Sequence, residues 1–363
     1  MHNRKLGFYR VGQECFDYKM SALIRGTQTG IHPEWDFNQS VFACVDWKTE
    51  PEESLWTLYS RRARQLREKY DYLILGYSGG SDSKNILDVF LSNKIKLDEL
   101  ATQASYKQFG NSYRPDPNSF SFMDNVTAEW EFTAKHDFNW ISRHHPEIKL
   151  TFWDWFEDFD FEVRQDWLVQ RNTNLVPWGW KRHGIHHIES IYKYPRVCYI
   201  MGVDKPRVAL RDDKYYLYFI DKGCYGMMPP ETMVGNATIE FFYWAPESAD
   251  ILRKQAHILK KHSEANQYLK SMLIWPPKKH AASRTVYENV VREQIYPTWD
   301  CARWQCAKPV DPPLSTDTKI LNHYTRIGDE VQDTLVQTAK MIDVSYHEPD
   351  GNYVAMISPF YEL

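Results

Sequence analysis

The sequence predicts an α/β fold: an open, mostly parallel five-stranded sheet flanked by helices, followed by a helical C-terminal region. Three observations carry this expectation. Apolar runs of strand length recur between residues 72 and 220, and segments of helical periodicity separate most of them. The first of these runs passes through a loop of small residues straight into an amphipathic segment, the strand–loop–helix unit of parallel sheets. Beyond about residue 240 the period becomes helical, interrupted by prolines. A chain of 363 residues suffices for one large or two ordinary domains, and 43% hydrophobic with 25% charged residues is the balance of a folded chain.

Residues 1–48 alternate short apolar runs with turn residues and include Trp35-Asp36-Phe37-Asn38, which suggests an extension packed on the main domain. Thr49-Glu50-Pro51-Glu52 has the form of a capping box with proline in the first turn. The helix it would start carries Leu55, Leu58, Tyr59 and Leu66 on one side, with Arg61, Arg62, Arg64, Arg67 and Lys69 elsewhere. A strand over 72–77 and an amphipathic helix with Ile86, Leu87, Phe90 and Leu91 on one face come next. Leu100–Ala104 is expected as the second strand, Gly110–Ser121 as a loop and residues 125–143 as a helix. Lys149–Trp153 supplies the third strand, Asp154–Gln170 a helix and Arg196–Met201 the fourth strand, ahead of the turn Gly202–Arg207. Tyr215–Ile220 is expected as the fifth strand. Glu247–His262, Arg284–Gln294 and Ile327–Ile342 read as helices, with breaks at Pro276-Pro277, Pro309 and Pro312-Pro313. These divisions suggest an extension (1–48), an α/β domain (49–240) and a mainly helical region (241–363).

Function is expected at Ser78-Gly79-Gly80-Ser81-Asp82-Ser83, between the first apolar run and its helix. A small-residue loop in that place presents backbone N–H groups and the positive end of a helix dipole to an anion. Gly79 and Gly80 admit a close backbone approach to phosphate oxygens, and Ser78, Ser81 and Ser83 offer hydroxyl donors. The spacing is neither that of a Walker A loop nor the G-x-G-x-x-G dinucleotide fingerprint. Gly76-Tyr77-Ser78-Gly79-Gly80 also satisfies G-x-S-x-G, the nucleophile elbow of serine hydrolases. Only about 70 residues precede it, with few strands and no His-Gly-Gly-type oxyanion segment, and that reading leaves Asp82 and Ser83 unexplained. A purely structural tight turn is the remaining alternative.

Residue for residue, Ser78–Ser83 resembles the Ser-Gly-Gly-x-Asp-Ser signature of the PP-loop ATP pyrophosphatases. That superfamily includes asparagine synthetase, GMP synthetase, argininosuccinate synthetase, queuosine-pathway and tRNA-thiolating enzymes, and the adenosine phosphosulfate reductases. The resemblance implies a Rossmann-like domain that binds ATP with its β- and γ-phosphates in the loop. It implies cleavage between α and β, with AMP moving to a carboxylate or carbonyl oxygen and pyrophosphate leaving. Asp82 would repel phosphate unless a cation intervenes, so it is assigned to Mg²⁺, with a first-turn helix acid as the alternative. Departing pyrophosphate needs fixed positive charge. Lys205 and Arg207, at a strand end stiffened by Pro206, are the candidates to supply it, against the alternative of a solvated surface turn. Lys84 is read as pointing along its helix, Asp204 as a turn residue or second metal contact, and Arg211 as a further candidate on the same rim. As a whole the chain resembles PP-loop proteins of large tailed phages described as phosphoadenosine phosphosulfate reductase-like. The matching stretches are Trp35–Asn38, Gly202–Arg207, Phe241-Phe-Tyr-Trp244 and Lys254-Gln-Ala-His257.

The departures narrow the reaction. Phosphosulfate reductases use a cysteine in a C-terminal Glu-Cys-x-x-His segment, whereas this sequence closes on Ser358-Pro-Phe-Tyr-Glu-Leu363. Glutamine-dependent members start with a cysteine nucleophile, where this chain has His2 and too short an extension for a glutaminase. The paired cysteines of thiolating members are missing among Cys15, Cys44, Cys198, Cys224, Cys301 and Cys306, which also fit neither a disulfide framework nor a zinc site. The expectation is an ATP- and Mg²⁺-dependent adenylating enzyme. It would activate an oxygen of a small molecule or nucleobase for attack by nitrogen, drawn from ammonia, an amine or a separate donor subunit. Sulfur transfer and a catalytically silent nucleotide-binding module are the alternatives, and a homo-oligomer is compatible with either.

The remaining features carry less. A net charge of −4 gives no general polyanion-binding surface, and the Lys260-Lys261-His262 cluster reads as a solvated helix face, so nucleic acid is not indicated. With 14 Trp, 23 Tyr and 18 Phe, the core and any pocket should be aromatic-rich. His183, His186 and His187 read as a loop without the acids or cysteines of a metal site, and Trp153–Phe161 as a helix with an aromatic face. No leader-like or membrane-length apolar run is visible, which suggests the cytosol, that of the host if the chain is phage-encoded.

Overall fold

A computed structural model describes residues 6–16, 22, 25–26, 28–104, 130–154, 188–203, 205–221, 233–234, 236–275, 289–300, 346–347 and 354–363. Near the N-terminus, β1 (Phe8–Val11), β2 (Glu14–Phe16) and β3 (Glu34–Asp36) form an antiparallel sheet in the order β2-β1-β3, followed by the short helix α1 (Gln39–Phe42). Aromatic side chains bind this part to the rest. Phe37 and Phe42 lie 5.0 and 4.8 Å from the ring of Phe219, which meets Trp244 at 5.1 Å. The Tyr9 hydroxyl donates to the fully buried Asp221 at 3.1 Å.

Helix α2 (Leu55–Lys69) starts later than the capping-box pattern suggests. Its N-cap is Ser54, whose hydroxyl accepts the Thr57 N–H at 3.1 Å. Thr49 is engaged by Asp46, and Glu50 is drawn to Lys254 at 2.8 Å and to Lys261, so the upstream segment is held by tertiary contacts outside the helix. The buried face carries Leu55, Leu58, Tyr59, Ala63 and Leu66, but also Arg62, which the helical pattern had left off the apolar side.

Strands β4 (Tyr72–Gly76), β5 (Glu99–Ala104), β6 (Lys149–Asp154) and β7 (Val197–Met201) pair in parallel. Between them lie α3 (Ser81–Ser92), a π-helical turn over Trp130–Ala134 that runs into α4 (Lys135–His144), and the short α5 (Ser190–Lys193). The unbroken burial of Leu73, Ile74 and Leu75 and of Val197–Met201 marks strands covered on both faces, as parallel sheets require.

The fifth parallel strand is not the expected Tyr215–Ile220. That stretch forms β9 (Lys214–Tyr218), a hairpin partner of β8 (Arg207–Arg211). The turn between them explains the difference: Asp212 and Asp213 both adopt positive φ, the backbone of a tight hairpin, and no helix intervenes to cross over. The fifth parallel strand is β11 (Ala237–Phe241), beside β7, and the two-residue β10 (Met233–Val234) adds an antiparallel edge. The main sheet thus has the order β10-β11-β7-β4-β5-β6, and the architecture is α/β with an open sheet whose five central and outer strands run parallel.

Beyond the sheet come α6 (Ala249–Glu264), α7 (Gln267–Met272) and a helix over 289–295, α8. Strands β12 (Tyr346–His347) and β13 (Val354–Ala355) pair with each other, and β14 (Tyr361–Glu362) adds to β9. Most of the helix expected at Asp154–Gln170, the loop Gly110–Ser121, the helix at Ile327–Ile342 and the start of the helix at 125–143 fall outside the described residues. Among the described residues no helix is long and apolar enough to cross a membrane.

One buried ion pair ties α2 to β11. Arg62 Nη2 donates to Glu240 Oε2 at 3.2 Å and to the Phe241 carbonyl at 2.9 Å, while Lys69 and the Tyr70 hydroxyl reach Glu240 Oε1 at 2.5 and 2.6 Å. Burial alone pushes the Glu240 carboxyl up, but Arg62, Lys69 and Tyr70 outweigh it and hold it below its ordinary value of 4.5. A depressed pKa stabilises above the unfolded value and loses that contribution as pH falls through the folded one. Arg62→Met should therefore cost about 3 kcal/mol in urea unfolding at neutral pH, the lower end for a broken buried pair because Lys69 remains. The gap to wild type should shrink below about pH 4.5, as Glu240 takes up its proton.

Candidate functional site

The strand order creates a crevice. From β4 the chain proceeds to β5 and β6 on one side, while β7 and β11 lie on the other. Loops leaving the carboxyl ends of β4 and β7 therefore face each other where the order reverses, the place where open parallel sheets hold ligands. They are Tyr77–Gly80 and the segment beginning at Gly202. The segment after β11, Phe242–Trp244, is fully buried beside them.

Backbone geometry defines the β4 loop. Gly79 has φ +74°, and a Cβ there would lie 2.3 Å from Thr133 Oγ1 and 2.8 Å from the Ala134 nitrogen, so the loop rests on the π-helical turn as only glycine allows. The left-handed residue is Gly79 and not Ser78, which is not the strained serine of a nucleophile elbow. Gly80 is the extended N-cap of α3 and brings no side-chain cap, leaving the first-turn N–H groups to an outside acceptor. Two serines fold the loop on itself. Ser78 Oγ accepts the Gly80 N–H at 3.2 Å, and the buried Ser83 hydroxyl donates to the Gly80 carbonyl at 3.2 Å. Ser81 is likewise buried.

Gly202 joins the two loops. A Cβ on it would come within 3.2 Å of the Asp82 carbonyl carbon and of the Ser83 nitrogen, so its hydrogen lets the β7 end approach the first turn of α3. Three residues on, Lys205 Nζ reaches Asp82 Oδ2 at 3.2 Å with its side chain only 10% exposed. The Tyr296 hydroxyl, from the segment after α8, donates to Asp82 Oδ1. Tyr243 donates to the Asp82 carbonyl at 2.9 Å and accepts from Asn85 Nδ2 at 2.9 Å. Burial, with Asp82 and the neighbouring tyrosines adding to it, pushes the Tyr243 and Tyr296 hydroxyls well above the ordinary phenol value, so both remain donors.

Asp82 and Lys205 are thus brought into contact. Arg207 begins β8, two residues past Lys205. Arg211 sits at the opposite end of β8, about 13 Å along the strand, where it pairs with Asp212 at 3.5 Å and lies over the Phe360 ring. Lys84 pairs with Asp88 along α3. Asp204, His183, His186, His187 and the stretch 155–161 lie outside the described residues. Among the described residues no three His, Cys, Asp or Glu side chains converge on a metal position. A single carboxylate with phosphate oxygens and water suffices for Mg²⁺, and Asp82 beside an uncapped helix start fits that demand.

Gly202, Tyr243, Tyr296 and Thr133 belong to the site without any sequence signature of their own. Only Gly202 and Tyr243 lie in stretches that motif reading had noticed. No protein-family model matches the chain, and comparison with curated proteins finds no match.

The glycine geometry yields a direct expectation. Gly79→Ala should lower stability by about 1–3 kcal/mol through φ strain and the Thr133 clash, and should raise amide exchange in residues 77–83. Thermal unfolding and hydrogen-exchange mass spectrometry check both; an unchanged exchange pattern would show that the loop does not depend on the left-handed turn.

Proposed function

We propose that this chain is a PP-loop ATP pyrophosphatase that adenylates an oxygen of a small molecule or nucleobase and releases pyrophosphate, with a nitrogen nucleophile completing the reaction. The observation that carries the reading is the Ser78–Ser83 loop. It opens an uncapped helix at the reversal of strand order, with a lysine held within reach. Backbone N–H groups of the first turn of α3 would receive the β- and γ-phosphates. Lys205 would exchange Asp82 for the phosphates and balance charge on the departing pyrophosphate. Mg²⁺, when bound at Asp82, supplies further charge neutralisation.

In the first step the acceptor oxygen attacks the α-phosphorus, the bond to the bridging α–β oxygen breaks, and pyrophosphate leaves with that electron pair. In the second, the nitrogen adds at the activated carbon, loses a proton, and AMP departs. Nitrogen is preferred over sulfur because the sequence has neither a Glu-Cys-x-x-His segment nor a Cys-x-x-Cys pair, and Cys198 is sealed inside β7, its thiol pushed up by burial. We place the reaction in the cytosol, where ATP and Mg²⁺ are supplied.

A second reading, a nucleotide-binding module without turnover, draws support from Asp82, whose carboxylate is already engaged by Lys205 and Tyr296. Incubation with α-labelled ATP across carboxylate, amide and nucleobase acceptors separates the two. AMP and pyrophosphate in equal amounts support the enzyme; tight ATP binding without either product supports the silent module. Lys205→Met should weaken ATP binding about 10- to 100-fold, the worth of one hydrogen bond to a charged group. Asp82→Asn should remove the Mg²⁺ dependence while retaining the fold. Full Mg²⁺ dependence in Asp82→Asn would take Asp82 out of the metal site.

A further inference from the structure

We propose that Tyr296 is a positioning residue for Asp82: its hydroxyl holds Oδ1, so that Oδ2 alone faces the crevice, where Lys205 now sits. The inference rests on reading the loop as an ATP–Mg²⁺ site and goes beyond it, because nothing in the loop motif calls for a tyrosine from residues 289–300.

The geometry around Tyr296 is that of a fixed donor. Its side chain is almost wholly buried, and its ring lies 5.6 Å from that of Tyr243. The backbone is held on both sides, with the Tyr296 N–H on the Arg292 carbonyl and the Trp299 N–H on the Tyr296 carbonyl, each at 2.9 Å. One residue earlier, the Ile295 carbonyl accepts the Tyr59 hydroxyl at 2.7 Å, and Tyr59 accepts from Gln255 Nε2 at 2.8 Å. Helices α2 and α6 therefore both anchor the segment that delivers the hydroxyl. Neither Tyr59 nor Tyr243 touches the Asp82 carboxylate: Tyr59 meets Ile295, and Tyr243 meets the Asp82 carbonyl.

Asp82 needs such a restraint because of where it stands. As the second residue of α3 it lies beside the uncapped N–H groups of its own helix. A short acid at that place readily folds back onto those groups and would compete with phosphate for them. A hydrogen bond to Oδ1 from outside the helix keeps the carboxylate turned away. The same bond fixes the direction of Oδ2, which then exchanges Lys205 for a cation without changing rotamer. Lys205 is released to the phosphates in the same exchange.

The test measures ATP affinity by calorimetry on the full chain, once with EDTA and once with Mg²⁺, for wild type, Tyr296→Phe and Tyr72→Phe. Tyr296→Phe should keep the EDTA affinity within about twofold and lose about tenfold of the Mg²⁺-dependent gain. Tyr72→Phe removes a buried hydroxyl at the opposite end of β4, where it meets Glu99, and should keep that gain. Asp82→Glu retains the charge but carries the carboxylate past Tyr296; it should lose the gain as well, and it serves if Tyr296→Phe does not fold. A full Mg²⁺ gain in Tyr296→Phe or in Asp82→Glu would overturn the proposal, as would an equal loss in Tyr72→Phe, which would assign the effect to packing. Absence of ATP binding by wild type under both conditions would overturn the ATP reading itself, and this proposal with it.

Discussion

The approach of Gly202 to the first turn of α3 is the constraint on which the site depends. Adjacent parallel strands stand about 4.8 Å apart, but the loops that leave their ends are free to diverge. A hydrogen in place of a side chain at Gly202 lets the β7 end settle against Asp82 and Ser83. Lys205 is then delivered to Asp82 by three residues of chain. A Cβ at Gly202 would press on the backbone of α3, which would have to give by a few tenths of an ångström. Gly79 performs the complementary task beneath, seating the loop on Thr133 and Ala134. Two missing side chains thus define a cradle between the sheet, the π-helical turn and the start of α3.

Around that cradle the polar groups form two systems with different duties. The Arg62–Glu240 pair, with Lys69 and Tyr70, fastens the outer parallel strand to α2. The Asp82–Lys205–Tyr296 group, with Tyr243 and Asn85 behind it, sits at the rim. Glu240 is nearly sealed, with its side chain 7% exposed, whereas that of Asp82 is 25% exposed. The first arrangement suits a permanent tie, and the second suits an exchange of partners.

Much of the fold was legible because parallel strands buried on both faces read as unbroken apolar runs, as Leu73–Leu75 and Val197–Met201 do. Tyr215–Ile220 reads the same way, yet its partner was decided by the Asp212-Asp213 hairpin, and local composition does not reveal which sheet a strand joins. The strand–loop–helix turn at Ser78–Ser83 was legible because its small residues are consecutive and lie between an apolar run and an amphipathic one. The Tyr296–Asp82 contact was not, since it is made across the chain and tyrosine at that place carries no pattern. Arg62 was misplaced for a related reason: a helical wheel assigns arginine to water unless a buried acid is known to wait for it.

The site is also a late product of folding. Its defining contacts join residues far apart along the chain: Lys205 to Asp82 across 123 positions, Tyr296 to Asp82 across 214, and Tyr59 to Ile295 across 236. Closing loops of that length costs entropy that only a nearly finished core can offset. The α3 helix is local in sequence, so a nascent chain would display the Ser78–Ser83 loop long before Lys205 and Tyr296 are present to hold Asp82 in place. A half-made chain would carry the loop without the contacts that fix its carboxylate.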